Sequence, residues 1–334
     1  MAFPHFDPHR PSVLFFTRGR GRGHAIPDLE IARQIHALRP EVQIHFVSYG
    51  TGAATLTANG QNLIDLDMPD DNSTAATIVQ AGRLIGALRP QLVVAHEEYA
   101  ALPAAGIFGV PAILLTDFFS EGGSFWMECQ WFAERILFLD RKGLHPEPPS
   151  AKGRTTYLGP VMRSMEPAAK AGASPSAGPT IGVMPGSWTE ARAPLVDRVL
   201  AALDPRHHLI WLAGVDADLI RRATRHRPNT TVLEAEWRIE RVMRACDLVI
   251  TKCNRMTVRE LAALGIRTLS VTYGLNPADD RSIAGLPSNQ IIALRQLTRG
   301  LIRGALEAPA PKPVRFRSRS AAVEILRYLP GASG

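Results

Sequence analysis

What this chain of 334 residues has little of narrows its class. It has only three cysteines, Cys129, Cys246 and Cys253, with neither a metal-ligand spacing nor an even disulfide framework. A disulfide-stapled secreted scaffold and a cysteine-ligated metal domain are therefore excluded, and a reducing compartment is expected. No apolar run approaches the ~18 residues that span a bilayer. Met1-Ala2-Phe3-Pro4-His5 also lacks the charged-then-apolar profile of a signal peptide, so a cytoplasmic protein without stable membrane insertion is expected. Basic residues interleaved with aromatics are missing, which argues against nucleic acid as a partner despite a pI near 9.7. His96-Glu97-Glu98-Tyr99-Ala100 lacks the second histidine, four residues on, that a zinc-protease helix needs. Asp216-Ala217-Asp218 has a metal-binding look but is better read as the start of a helix at Leu219. No metal and no cofactor are expected.

What is present describes a globular protein: 46% hydrophobic and 21% charged residues. The length exceeds what one core ordinarily supports, so two domains are expected. The net charge of +7 is unevenly placed: residues 1–163 carry 14 Lys and Arg against 16 Asp and Glu, whereas 164–334 carry 24 against 15. A basic second half suits a polyanion such as a nucleotide diphosphate.

Apolar β-branched runs alternate with helical stretches, which predicts parallel sheets covered by helices. Strands are expected at 13–17, 42–48, 91–96, 112–116, 136–139 and 156–158, then at 180–184, 208–213, 230–233, 247–251 and 268–272. Between the two series lies an aperiodic stretch rich in Pro, Ala, Ser and Gly. The division is thus a first domain over 1–163, a linker over 164–179, a second domain over 180–310 and a tail over 311–334 that includes a helix-like segment from Ser320 to Leu329. In such α/β sheets ligands bind beyond the carboxyl ends of the strands.

The first strand leads into Gly19-Arg20-Gly21-Arg22-Gly23-His24 and then a helical pattern. Glycines there permit close backbone approach to a ligand, and histidine accepts a proton near neutral pH. The acid that a dinucleotide fingerprint needs about 20 residues on is missing, because the second strand ends in Ser48-Tyr49-Gly50. His24 reads either as a general base or as a residue capping the helix entry. Arg20 and Arg22 read as ligands for an acidic group or as solvated side chains.

Gly23-His24-Ala25-Ile26-Pro27 resembles the Gly-His-x-x-Pro entry of glycosyltransferases with the GT-B fold. A second stretch, Asp247-Leu248-Val249-Ile250-Thr251-Lys252-Cys253-Asn254-Arg255-Met256-Thr257-Val258-Arg259-Glu260-Leu261-Ala262-Ala263-Leu264-Gly265, resembles the donor signature of the MurG-like branch of those enzymes. The resemblance implies an α/β GT-B fold, two Rossmann-like doubly wound domains facing each other across a cleft, with the last helix crossing back to the first domain. It also implies a metal-independent, inverting transfer of a hexose or N-acetylhexosamine from a UDP-sugar to a small-molecule or lipid-linked acceptor. His24 would be the base, and Glu97, Glu98 or Asp117 the acid that orients it. Glu260 would hold the ribose, helped by Thr257, with Lys252, Asn254, Arg255 and Met256 at the phosphates. Gly186-Ser187 resembles a phosphate loop, and Asn289-Gln290, on a loop, resembles the pair that reads the donor sugar. A UDP-sugar 2-epimerase of the same fold, and a sugar-nucleotide-binding protein without catalysis, are the alternatives. The turn Cys253-Asn254-Arg255 departs from the small residues that relatives carry there.

Overall fold

The computed structural model describes residues 6–20, 22–66, 74–119, 128–163, 165, 178–186, 192–234, 236, 239–274, 277–316 and 319–330. Gly21, Ser187 and most of the stretch read as a linker (164, 166–177) lie outside them. The chain divides into two compact units, residues 1–163 with 316–334, and residues 164–315. No helix among the described residues is long and apolar enough to cross a membrane.

The first unit contains β1 (Ser12–Thr17), α1 (Ala25–Leu38), β2 (Gln43–Ser48), α2 (Gly50–Ala58), β3 (Leu63–Asp65), α3 (Thr74–Leu88), β4 (Leu92–His96), α4 (Ala101–Ile107), β5 (Ala112–Thr116), β6 (Arg135–Phe138) and β7 (Thr155–Tyr157). Its parallel sheet runs in the order β3-β2-β1-β4-β5-β6-β7. The central strands are continuous apolar runs because helices cover both faces. One face of β1, through Leu14 and Phe16, packs with Leu84, Ile85, Leu102 and Phe138. The other, through Val13 and Phe15, packs with Ile31, Ile35 and Phe46.

The second unit contains β8 (Thr180–Met184), α5 (Arg192–Ala202), β9 (His208–Leu212), α6 (Ala217–Thr224), β10 (Thr230–Leu233), α7 (Ile239–Ala245), β11 (Leu248–Lys252), α8 (Arg255–Leu264), β12 (Arg267–Thr272), α9 (Pro277–Ile283), β13 (Asn289–Ala293) and α10 (Arg299–Glu307). Its parallel sheet has the order β10-β9-β8-β11-β12-β13. Trp211, Ile181, Leu248 and Ile250 anchor one core face and Met243, Val249 and Leu261 the other.

The last helix, α11 (Ala321–Leu326), belongs to the first unit. Ala322, Ile325 and Leu326 pack with the α1 side of the sheet, Ser320 Oγ donates to Gln34 Oε1 at 3.2 Å, and Arg39 Nη1 donates to the Pro330 carbonyl at 3.2 Å.

Two strands are missing from the sequence reading. β3 is three residues at a sheet edge, too short for a periodic signal. β13 was read as a loop, yet Asn289 to Ala293 pair in parallel register with Thr268 to Thr272.

In each sheet the strand order reverses once, between β1 and β4 and between β8 and β11. Chains leaving neighbouring strands there turn to opposite faces, which opens a crevice at the carboxyl ends. The residues that follow Thr17 and His96, and those that follow Met184 and Lys252, stand at these two places.

Candidate active site

At the first switch point Thr17 lies in register with His96, and the Arg18 N–H donates to the His96 carbonyl at 3.2 Å. The chain from β1 passes through Arg18 to Gly23 and enters α1, where His24 occupies the N-cap position without any side-chain capping bond. Its imidazole turns to β4 instead: Nε2 lies 3.0 Å from Glu97 Oε2. Nδ1 is buried and has no hydrogen-bond partner among the described residues.

Glu97 is buried and has a backbone φ of +53°, left-handed and rare outside glycine. Its N–H donates to the Leu115 carbonyl at 3.1 Å. Thr116 Oγ1 lies 3.1 Å from Oε1, and Arg18 Nη1 lies 3.2 Å from Oε2. Burial alone would raise this carboxyl. The charge of His24 and its hydrogen bond, with His96 and Arg18, outweigh burial and hold Glu97 well below the usual carboxylate range.

A left-handed residue at the end of a strand costs about 1–3 kcal/mol. Here it has a geometric result. Consecutive strand residues point to opposite faces, but the turn at Glu97 brings the side chains of both His96 and Glu97 onto the first residues of α1. His96 Nδ1 lies 2.7 Å from Asp28 Oδ1, and Thr17 Oγ1 donates to Asp28 Oδ2 at 2.6 Å.

Of the three acids expected near His24, the structure brings Glu97 to it. Glu98 turns away: Tyr49 OH donates to its Oε2 at 3.3 Å, and burial pushes the carboxyl up to about 7. Asp117 contributes a backbone N–H 3.5 Å from Glu97 Oε1, and its side chain is half-buried.

The glycines play a different part from the expected one. Gly19 lacks room for a Cβ because the Tyr49 carbonyl would lie at 2.1 Å, and its carbonyl accepts from the Gly52 N–H at 3.0 Å. It packs the loop onto the start of α2 and does not serve a positive φ. Gly23 has open space and no positive φ. Arg20 and Arg22 are half-buried, and the charge of Arg20 acts on Glu98.

Sequence reasoning missed Arg18, Tyr49, Thr116 and the Asp28–His96 pair. Asp28 sits four residues after His24, one helical turn on. That spacing was the available signal, obscured because an acid in a first turn is also what the helix dipole favours.

The second switch point has a different chemistry. Gly186, after β8, takes φ +76°, and a Cβ there would lie 3.8 Å from Asn254 Nδ2. Asn254 caps α8, its carbonyl oxygen accepting from the N–H of Met256 at 3.1 Å and of Thr257 at 3.4 Å. The carboxamide thus occupies two of the N–H groups expected to meet phosphate. Arg255 Nε lies 2.8 Å from Asp279 Oδ1 on α9, so its charge is balanced within the protein. Lys252 ends β11 and is half-buried. Thr257 and Glu260 share a face of α8, and Glu260 is buried beside the core residues Val258 and Leu261.

Asn289 and Gln290 do not join this group. They open β13 at the amino end of the sheet, opposite the strand ends that carry Gly186 and Asn254. Asn289 accepts from Ser270 Oγ at 2.6 Å and donates to the Ile283 carbonyl at 3.3 Å, a structural role.

No family model matches the chain. It is 28% identical over 292 residues to a UDP-N-acetylglucosamine–N-acetylmuramyl-(pentapeptide) pyrophosphoryl-undecaprenol N-acetylglucosamine transferase of Salinibacter ruber, with 76% of this chain and 75% of that protein covered. Among solved structures it is similar to the glycotransferase of kitacinnamycin, at a TM-score of 0.64 and 19% identity, covering 96% of this chain and 94% of that one. It is similar to a UDP-N-acetylglucosamine 2-epimerase at a TM-score of 0.63 and 11% identity, covering 90% and 88%. At such identities the structural likenesses speak for the fold, and they speak equally for a transferase and an epimerase. The sequence relative adds the transferase side: the chain has the two-unit α/β fold of GT-B glycosyltransferases and is similar in sequence to a MurG-type N-acetylglucosamine transferase.

Proposed function

We propose that this protein transfers a hexose or N-acetylhexosamine from a UDP-sugar to a hydroxyl of a small or lipid-linked acceptor, with inversion and without a metal, and that His24 is the general base. The observation that carries the reading is the contact between His24 Nε2 and the buried, ionised Glu97. A carboxylate on Nε2 fixes the tautomer with its proton there and stabilises the imidazolium that forms during reaction. Nδ1 is the nitrogen left to take a proton. As the acceptor oxygen attacks C1, its proton passes to His24, and the bond from C1 to the diphosphate oxygen breaks with its electron pair going to UDP.

On the donor side Glu260 is assigned to the ribose hydroxyls and Thr257 to the same ligand. Gly186, Lys252 and the start of α8 are assigned to the diphosphate, where fixed dipoles and positive charge stabilise a leaving anion. The Salinibacter relative's name specifies an N-acetylglucosamine donor and a lipid-linked acceptor. UDP-N-acetylglucosamine is therefore the first donor to assay.

The His24→Ala protein should show kcat for UDP release lowered roughly 10²–10⁴-fold with UDP affinity unchanged. Near-wild-type kcat in a folded variant would reduce His24 to a structural residue. The likeness to an epimerase supports a second reading, tested with the same donor: 2-epimer formed from UDP-N-acetylglucosamine without acceptor would favour it, and sugar transfer would exclude it. Turnover unaffected by EDTA is expected, and loss of turnover restored by a divalent cation would overturn the metal-free assignment.

A further inference from the structure

The start of α1 and the end of β4 exchange two histidine–carboxylate contacts, of which the proposed proton transfer involves one. His24 of the helix entry meets Glu97 of the strand end; Asp28, one turn along the helix, meets His96, the residue before Glu97. The pairs are crossed, each with one partner on either element, and the two imidazoles meet edge to face with ring centroids 4.8 Å apart and an interplanar angle of 79°.

The inner pair is closed. Asp28 and Thr17 have no exposed surface and His96 has 2%. Both oxygens of Asp28 are engaged, by His96 Nδ1 at 2.7 Å and Thr17 Oγ1 at 2.6 Å. An unpaired carboxylate in that position would be costly, so the pair persists as a unit or not at all.

We propose that Asp28 and His96 form a positioning pair for His24: anchored through Asp28, the His96 ring packs against the His24 imidazole and sets its plane. The inference rests on His24 being the base. The groups acting on His96 are Asp28 and His24 from α1, Glu97 beside it on β4, Asp117 after β5, and the neutral Thr17 on β1. Burial lowers its proton affinity, but Asp28, with Glu97 and Asp117, more than compensates and raises it above the usual imidazole value. His96 therefore binds its proton more tightly than a free imidazole does. The buried pair thus orients the His24 ring, while Glu97 stabilises the proton once it has been transferred. The two pairs divide those tasks.

Low-field proton NMR of the unliganded protein tests the pair without reference to turnover. The wild type should show two downfield imidazole N–H resonances, one from His96 to Asp28 and one from His24 to Glu97. Asp28→Asn, which keeps the shape and an acceptor for Thr17, should move the first upfield. His96→Gln should abolish the first and weaken the second, although His24 and Glu97 are intact. Thermal unfolding of both variants establishes that they fold.

In turnover, UDP release from UDP-N-acetylglucosamine should fall roughly 10–100-fold in kcat in both variants with donor KM unchanged. An inactive His24→Ala protein beside Asp28→Asn and His96→Gln proteins that keep the wild-type kcat and second resonance would overturn the positioning role alone. A fully active His24→Ala protein would instead overturn the base assignment and the positioning role with it.

Discussion

Glu97 and Glu98 are adjacent and buried, yet their carboxyls move in opposite directions. Glu97 is flanked by His24, His96 and Arg18, whereas Glu98 has a Tyr49 hydroxyl and only the more remote charges of Arg18 and Arg20 against its burial. The consequence for stability follows from linkage. Glu98 rises from 4.5 to about 7 on folding, so between those values the native state binds more protons than the unfolded one, and stability falls as pH rises. At 1.36 kcal/mol per unit the effect is at most about 3 kcal/mol. Glu98→Gln, which still accepts from Tyr49, should therefore show a Tm gain over wild type that grows from pH 5 to pH 8. A gain independent of pH would mean that Glu98 is ionised in the fold. Glu97 has the opposite sign: its contribution is complete above about 4.5 and is lost as pH falls through its depressed native value.

Elements explain what the sequence revealed and what it hid. The central strands were legible because a strand buried on both faces is a plain apolar run, and the motifs stood where such strands end. The resemblance to GT-B enzymes then offered Glu97, Glu98 or Asp117 as the partner of His24. The choice between Glu97 and Glu98 could not be made, because it depends on the left-handed backbone of Glu97, which no residue pattern announces. The Asn289-Gln290 match failed for a related reason: a local likeness does not say which end of a strand it occupies. Among the described residues, Arg89 is the other non-glycine residue with positive φ, +48°, at the end of α3. Arg89 is exposed and follows the helix as a C-terminal stop, so Arg89→Gly should stabilise by about 0.5–1 kcal/mol. Denaturant midpoints would measure it, and a loss of stability would show that the Arg89 side chain matters more than its backbone. At α8, Asn254→Ala removes the acceptor for two N–H groups and should cost about 1 kcal/mol. Asn254→Asp should recover most of that loss, since an aspartate caps equally well.

At the scale of the molecule, two units without any sequence repeat share the order of their first six strands around the same kind of switch point, the first unit adding β7 at its edge, and their switch points carry different residues. The first gathers His24, Glu97, His96 and Asp28, groups that hold and move protons. The second gathers a capped helix start, a basic strand end and a buried glutamate, groups suited to a nucleotide. If that division holds, substitutions in the two units affect different kinetic constants. Glu260→Ala should weaken UDP binding by about 1.5–3 kcal/mol, the scale of charge-assisted hydrogen bonds, or roughly 10–150-fold in Kd. His24→Ala should leave that Kd unchanged and lower kcat. Calorimetry with UDP on both proteins separates the outcomes. An unchanged Kd in a folded Glu260→Ala protein would remove the ribose assignment, and tighter binding of ADP or GDP than of UDP by the wild type would remove uridine as the base recognised there. Loss of UDP binding in His24→Ala would show that the first unit takes part in holding the nucleotide, and the division of labour between the units would have to be abandoned.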